Sequence, residues 1–335
     1  MESEPILSDE IKEKIGIISF IGLANAGKST LVNALVGSKV SIVTNKAQTT
    51  RQRVLGIRTD DDSQLVFIDT PGFFTQKYRG EMAQFLKNEI AEGVEGVDYI
   101  GVVIDADAVI KEPESVMKLF SQVKNLQSMN GLTAEKTPDA IIINKIDKVE
   151  RLKLLPLIKL ISEHVNTLYD SSKIEYLPIS AKTLEGMPML LEKLKSRCEQ
   201  GPLMFPKDTV TVQSDEQFAS EIIREKAFLF LKQELPYGVA VICRSWEGDD
   251  KFETIFADII VEKDSHKGIV LGKGGKMIQD IGSAARKELE RIYGSKFVLK
   301  LFVRVEEDWT RSIHGLRKTG YETTKDFSLL IDSKE

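Results

Sequence analysis

From Lys14 to about Glu199 the chain alternates short runs of apolar, often β-branched residues with longer stretches whose apolar positions recur at helical spacing. The runs KIGIISFI, QLVFID, VDYIGVVIDA, PDAIIINK and KIEYLPIS have no polar alternation, as expected of strands buried on both faces of a parallel sheet. The amphipathic stretches between them supply the crossover helices. The pattern predicts an α/β domain with a mostly parallel, doubly wound sheet over residues 1–203. The segment EQGPLMFPKD holds two prolines and a glycine, so residues 204–212 read as a linker.

Beyond the linker the periodicity changes. A helical stretch from Asp215 is followed by two β-rich runs, GVAVICRSW and FETIFADIIVEK, with EGDD expected as the turn between them. A short helical turn, the loop Gly272-Lys273-Gly274-Gly275, the helix KMIQDIGSAARKELERIY and the strand KFVLKLFVRV complete the order αββααβ. Residues 213–305 thus form a small α+β domain, and 306–335 a polar tail without a legible pattern. With 335 residues, 42% hydrophobic and 29% charged, the chain has enough apolar material for two conventional cores. The N-terminus is acidic where a signal peptide is basic, and no apolar run approaches the roughly 20 residues of a membrane span. A soluble, cytoplasmic protein is expected. Cys198 and Cys243 lack metal-ligand spacing and read as plain thiols, and His164, His266 and His314 as isolated surface or packing residues.

The formal charge of −5 argues against a nucleic-acid protein until it is resolved along the chain. From Lys263 to Lys300 nine basic residues face four acidic ones, a local excess of +5 around the glycine loop. A charge run usually marks a solvated helix face. Its adjacency to GKGG favours a binding role, because a GxxG loop lets single-stranded RNA backbone lie close against the protein. Gly272, Lys273, Gly274, Gly275 and Lys276 are the expected RNA contacts.

The first domain carries sharper chemistry. Gly22-Leu23-Ala24-Asn25-Ala26-Gly27-Lys28-Ser29 fits G-x-x-x-x-G-K-[ST] between a strand and a helix. There backbone N–H groups approach phosphate oxygens, Lys28 neutralises the β- and γ-phosphates, Ser29 ligates Mg²⁺, and Thr30 continues the helix N-terminus. Asp69-Thr70-Pro71-Gly72 closes a strand, placing a carboxylate for the metal and the Gly72 N–H for a γ-phosphate. Asn144-Lys145-Ile146-Asp147 closes another, where the Asp147 carboxylate can accept from guanine N1–H and N2–H₂, a donor pair that adenine lacks. Ser180-Ala181-Lys182 follows the last strand and offers a backbone N–H to guanine O6. Each short motif alone passes for a loop; their order, each at a strand end, points to GTP. Between Lys39 and Arg53 the adjacent Thr49 and Thr50 are candidates for a switch threonine, of which Thr50 is preferred. Lys28, Thr50 and Gly72 are therefore the expected catalytic set, and Ser29, Thr50 and Asp69 the expected metal ligands.

These motifs, with KAQTTR, ASEIIREK, ELPYGV and GKGGKMI, resemble the Era family of bacterial GTPases over roughly residues 14–321. The family joins a Ras-like domain to a type II KH domain and acts in maturation of the small ribosomal subunit. The resemblance implies a monomer that binds GTP and GDP with Mg²⁺, binds the 3′ end of 16S ribosomal RNA in the 30S subunit, and contacts the inner face of the cell membrane peripherally. Ala24 departs from the family's usual proline. Phe73 stands where Ras-like enzymes keep a water-positioning glutamine, as it does in the family, so intrinsic hydrolysis is expected to be slow. Asn25 matches the asparagine with which related GTPases bind K⁺, and an ordinary loop asparagine is its equal alternative. The competing reading is a GTP-dependent signalling or cell-cycle regulator whose second domain binds protein or membrane partners and not RNA.

Overall fold

The computed structural model describes residues 13–73, 78–129, 137–249 and 252–321. The first half is built on β1 (Lys14–Gly22), α1 (Lys28–Val36), β2 (Val54–Asp60), β3 (Ser63–Asp69), α2 (Glu81–Glu92), β4 (Tyr99–Asp105), α3 (Ala106–Lys111), α4 (Ser115–Met129), β5 (Ala140–Asn144), α5 (Leu154–Asn166), β6 (Glu175–Pro178), α6 (Met187–Ser196) and β7 (Glu199–Gln200). The sheet order is β2-β3-β1-β4-β5-β6, with β7 paired to the start of β1. All five apolar runs are strands, parallel to one another. β2 is antiparallel to β3 across a tight connection at Asp61 and Asp62.

Because the parallel strands are buried on both faces, they feed two cores. Ile17, Ile21, Val66, Ile68, Ile100 and Val102 point to the α2–α5 side, and Ile18, Phe20, Leu65, Phe67 and Val103 to the side of α1 and α6. This arrangement brings the C-terminal ends of β1, β3, β4, β5 and β6 to one edge, where ligands of open α/β sheets bind.

The segment from Met204 is pinned to the first domain and not free. The Gln64 side chain bonds the backbone of Met204 and Phe205, and Val210 and Thr211 bond the backbone of β2. The second half follows as α7 (Asp215–Phe230), β8 (Ala240–Asp249), β9 (Phe252–Val261), α8 (Asp264–Leu271), α9 (Lys276–Tyr293), β10 (Lys296–Val305) and α10 (Ile313–Lys318). Its sheet runs β10-β9-β8, with β8 antiparallel and β10 parallel to β9. α7 starts on a capping box between Ser214 and Gln217 and buries Phe218, Ile222 and Ile223 in the same core as Ile281, Ala285 and Leu289 of α9.

One expectation is corrected, and the segment without a legible pattern gains a structure. EGDD is not a turn over its whole length, because β8 continues through Glu247 and Gly248 to Asp249 after a bulge between Cys243 and Ser245 absorbs the register shift. The tail is structured as far as Tyr321: Trp309, Leu316 and Tyr321 pack with Met82, Phe85 and Leu86 of α2 and with Phe228, Tyr237, Ala240 and Ile260. Residues 322–335 lie outside the described residues, as do 1–12. No helix among the described residues is long and apolar enough to cross a membrane.

Candidate nucleotide site

The strand edge holds a cleft of about 630 Å³ lined by Asn25, Gly27, Lys28, Ser29 and Thr30 at one end, by Thr50 and Gly72 on its wall, and by Lys145, Asp147, Ala181 and Lys182 at the other. The loop into α1 turns on Gly27 at φ 96°, where a Cβ would lie 2.4 Å from the Asn144 side-chain nitrogen. Glycine is required on both counts. Gly72 is held as closely, since a Cβ there would meet Ala24 Cα at 2.6 Å.

Lys28 is buried and donates to the carbonyls of Gly22 and Leu23, both at 3.1 Å. Burial pushes its pKa down to about 8, against the pull of nearby Asp69. Ser29 Oγ lies 2.9 Å from Thr50 Oγ1, which in turn lies 3.5 Å from Asp69 Oδ2. Thr49 also lines the cleft but turns its hydroxyl the other way, to Thr44 and the Lys46 carbonyl, so of the two threonines Thr50 is the one whose hydroxyl meets Ser29 and Asp69. Asp69 is fully buried, its Oδ1 lacks a hydrogen-bond partner, and burial raises its pKa despite Ser29 and Lys28. An orphaned carboxylate oxygen beside two hydroxyls is a hard-oxygen donor set that suits a small divalent cation.

At the far end the Ser180 hydroxyl donates to Asp147 Oδ1 at 2.6 Å, fixing the carboxylate. Asn144 ties the loops together: its amide donates to the Ala26 carbonyl, while its Oδ1 accepts from the N–H groups of Lys145 and Ala181. Its side chain is thus engaged with protein on both ends. Lys145 lies at φ 64° and its Nζ bridges the Asn25 carbonyl and Asp105 Oδ2. Gly22, Ala26, Thr70, Pro71 and Ser180 stand behind the wall; the Thr70 hydroxyl, for one, is bonded to the Phe20 carbonyl. Phe73 is packed in the core, its backbone paired with Gly22 and Ala24, so no acid or base stands there. Asn25 donates to the Asn45 carbonyl at 3.2 Å. Asn45, Gln48, Asp105 and Lys148 also line the cleft; Gln48 lies within KAQTTR, and no motif in the sequence marks the other three.

The GKGG loop lies far along the chain, with Gly272 at φ 73°, Gly274 at φ 61° and Gly275 at φ 78°. Lys273, Gly274 and Lys276 are exposed. Three of the four acids in the basic stretch are paired: Asp280 with Lys276, Glu290 with Arg286, and Glu288 with Lys39 and Lys226. For Glu288 burial works upward, yet the two lysines hold its carboxyl below the usual range.

The two halves meet at the segment that carries Thr50. Arg224 donates to the Thr49 carbonyl, Val43 N–H donates to Glu225, Lys39 pairs with Glu225, and Lys46 bonds the carbonyls of Phe228 and Leu231. Arg51, 1% exposed, reaches furthest into the second half.

A family model described as a 50S ribosome-binding GTPase matches residues 17–145, and a KH domain model matches 234–310. The GTPase Era of Nitratidesulfovibrio vulgaris is 38% identical over 92% of this chain and 97% of its own length, and that of Syntrophus aciditrophicus 38% over 92% and 95%. The chain belongs to the Era family of GTPases. A crystal structure of Era in complex with MgGDPNP and nucleotides 1506–1542 of 16S ribosomal RNA superposes with a TM-score of 0.81 at 33% identity, covering 93% of this chain and all of that one. A substituted Aquifex aeolicus Era bound to GDP·AlF₄⁻ gives 0.80 at 32%, covering 92% and all of that chain. As an Era-family member the protein is a GTPase with a P-loop domain followed by a KH domain, the architecture that the strand order and αββααβ pattern predict.

Proposed function

We propose that the protein is a cytoplasmic, monomeric switch that hydrolyses GTP in this cleft and binds the 3′ end of 16S ribosomal RNA through its GKGG loop, assisting maturation of the 30S subunit. The observation that carries the nucleotide half is the convergence of Lys28, Ser29, Thr50 and Gly72 at one end of a single cleft with Asp147 at the other. Lys28 and the N–H groups of residues 25–30 hold the phosphates, and the Gly72 N–H meets the γ-phosphate. Ser29 and Thr50 would hold Mg²⁺, with Asp69 behind them; the ion would neutralise charge that develops on the transferring phosphoryl group. With Phe73 packed away, no acid or base among the described residues stands at that position to orient the attacking water, which supports slow intrinsic turnover. Asp147→Asn is expected to weaken GTP on the order of a hundredfold and to let xanthosine triphosphate compete, because the amide donates where guanine needs an acceptor. Competition binding measures it; unchanged GTP affinity in a folded variant removes Asp147 from the base site. If Asn25 helps hold K⁺, turnover is higher in KCl than in NaCl at equal ionic strength; equal rates leave it its bond to Asn45.

The RNA half rests on an exposed loop with three left-handed glycines, set in a basic stretch in which three of the four acids are already paired. Lys273→Asp with Gly274→Asp reverses the local charge from +1 to −2. Space around a Gly274 side chain is open and aspartate tolerates φ 61°, so the fold survives. RNA affinity should fall by about a hundredfold or more through repulsion of the phosphates, while GTP turnover stays within about twofold. Retained affinity for an oligonucleotide copying the 16S 3′ end would favour the protein- or membrane-binding alternative. A peripheral membrane contact belongs to the proposal only through the family resemblance.

A further inference from the structure

The sheet of the second half has two faces, and only one is fully used. α7 and α9 cover the inner face, and the α2 and α10 side chains cover the Ala240, Ile242 and Ile260 end of the outer one. The rest of the outer face presents Phe252 and Phe302, 54% and 52% exposed, with the half-buried Phe256 between them. Lys300 sits directly across from Phe256 in the β9–β10 register and holds its Nζ 4.7 Å from that ring's centroid. Phe302 lies across from Asp258. Asp258 is fully buried, and its Oδ2 takes Arg244 from β8 at 2.6 Å and Arg304 from β10 at 2.7 Å. Both arginines remain more than half exposed. One buried carboxylate therefore orders two guanidinium groups on an open sheet, flanked by aromatic rings and a third cation. Among the side chains described on this face, Glu247, across from Thr254 toward the far edge, is an exposed acid.

Exposed rings that stack bases, interleaved with fixed cations that meet phosphates, are how a β-sheet holds single-stranded nucleic acid. A protein partner or a second copy of the chain would be expected to match the rings with apolar groups and leave three exposed cations without acceptors. The face is continuous with the GKGG side: β10 is the edge strand, and it packs against α8 and α9, which flank the loop. A GxxG loop clamps only about four nucleotides, which leaves a longer RNA to be held elsewhere. The geometry points to this outer face as a second single-stranded RNA site, built from Phe252, Phe256, Phe302, Arg244, Lys300 and Arg304. It takes the RNA that leaves the GKGG loop around the β10 edge. This rests on the RNA reading above, and the test separates the two.

Phe302→Ala with Lys300→Ala changes exposed side chains only. Full-length protein, this variant and the Lys273→Asp/Gly274→Asp variant are titrated with two single-stranded RNAs, one short enough for the loop alone and one longer by about ten nucleotides. The face variant is expected to bind the long RNA about tenfold more weakly, as loss of one stacked base and one phosphate contact gives, with a shallower salt dependence. It binds the short RNA as the unsubstituted protein does. If the loop variant loses both RNAs while the face variant loses neither, the face inference falls and the loop reading stands. If the loop variant keeps both RNAs, the loop reading falls; weaker long-RNA binding by the face variant alone then sustains the face as an RNA site. Unchanged RNA binding with the loss of a concentration-dependent dimer would give the face to a second copy and overturn the inference.

Discussion

Lys28→Ala should lower GTP turnover by at least about two orders of magnitude, the loss that follows removal of a fixed positive group from a site of developing negative charge. Lys28 is buried at the phosphate end of the cleft, and it is held there by the Gly22 and Leu23 carbonyls, without a direct ion pair among the described residues. Burial already works against its charge, so phosphate oxygens are better partners than the neutral carbonyls it now touches. Alanine removes that charge without filling its space. Phosphate release at saturating GTP measures the effect, and Ser29→Ala, which removes a metal ligand, should fall in the same direction. Circular dichroism and RNA affinity are expected to stay near those of the unsubstituted protein, because the GKGG loop belongs to a separate core. Turnover within threefold of the original would mean that the phosphate end of the cleft has been placed wrongly.

What could be read from the sequence followed from how local each signal is. β1, β3, β4, β5 and β6 were legible because strands buried on both faces leave unbroken apolar runs. The P-loop was legible because its glycines, lysine and serine are contiguous and lie between a strand and a helix. β2 was not, since VLGIRTD is an edge strand with Arg58 and Asp60 at its outer end, and its pairing is decided by β3. Thr50 is preferred over Thr49 from the sequence, but the physical distinction lies in the geometry, where the Thr50 hydroxyl meets Ser29 and Asp69 and that of Thr49 meets Thr44. The tail beyond Val305 showed no periodicity because its apolar residues serve a surface made by α2 and α7, far off in the chain. The same holds for Lys39 and Lys46: each looks like a solvated residue of a polar loop, and its partners lie 180 or more positions away. No window of sequence contains both ends of such a contact.

Arg51 is the extreme case, and Arg51→Ala is expected to destabilise the full chain by about 3–5 kcal/mol, the combined cost of buried acceptors left unsatisfied and of an emptied cage. Its guanidinium donates to the carbonyls of Val239, Tyr237 and Pro236 at 2.7, 2.8 and 3.3 Å, and to the hydroxyls of Tyr321 and Tyr78 at 2.9 and 3.1 Å. The rings of Tyr78, Phe228, Trp309 and Tyr321 surround it at 5.5 to 5.7 Å. Carbonyl and phenol oxygens, together with π faces, thus solvate a cation that has left water. Truncation empties the cage and takes their Arg51 donor from the buried carbonyls of Val239 and Tyr237, each worth about 1–3 kcal/mol when unsatisfied, while the Pro236 carbonyl keeps the Val239 N–H. Arg51→Lys keeps the charge but loses the planar fork, so it should recover only a minor part. The residues in the cage come from both halves of the chain, and Arg51 follows Thr50 directly. Urea unfolding should therefore change from one shared transition to two separated ones as the halves lose their common cluster, and GTP turnover should fall with it as Thr50 loses its anchor. A single transition at an unchanged midpoint would show that the halves are held by α2 and the other ionic contacts, with Arg51 contributing little to either stability or the placement of Thr50.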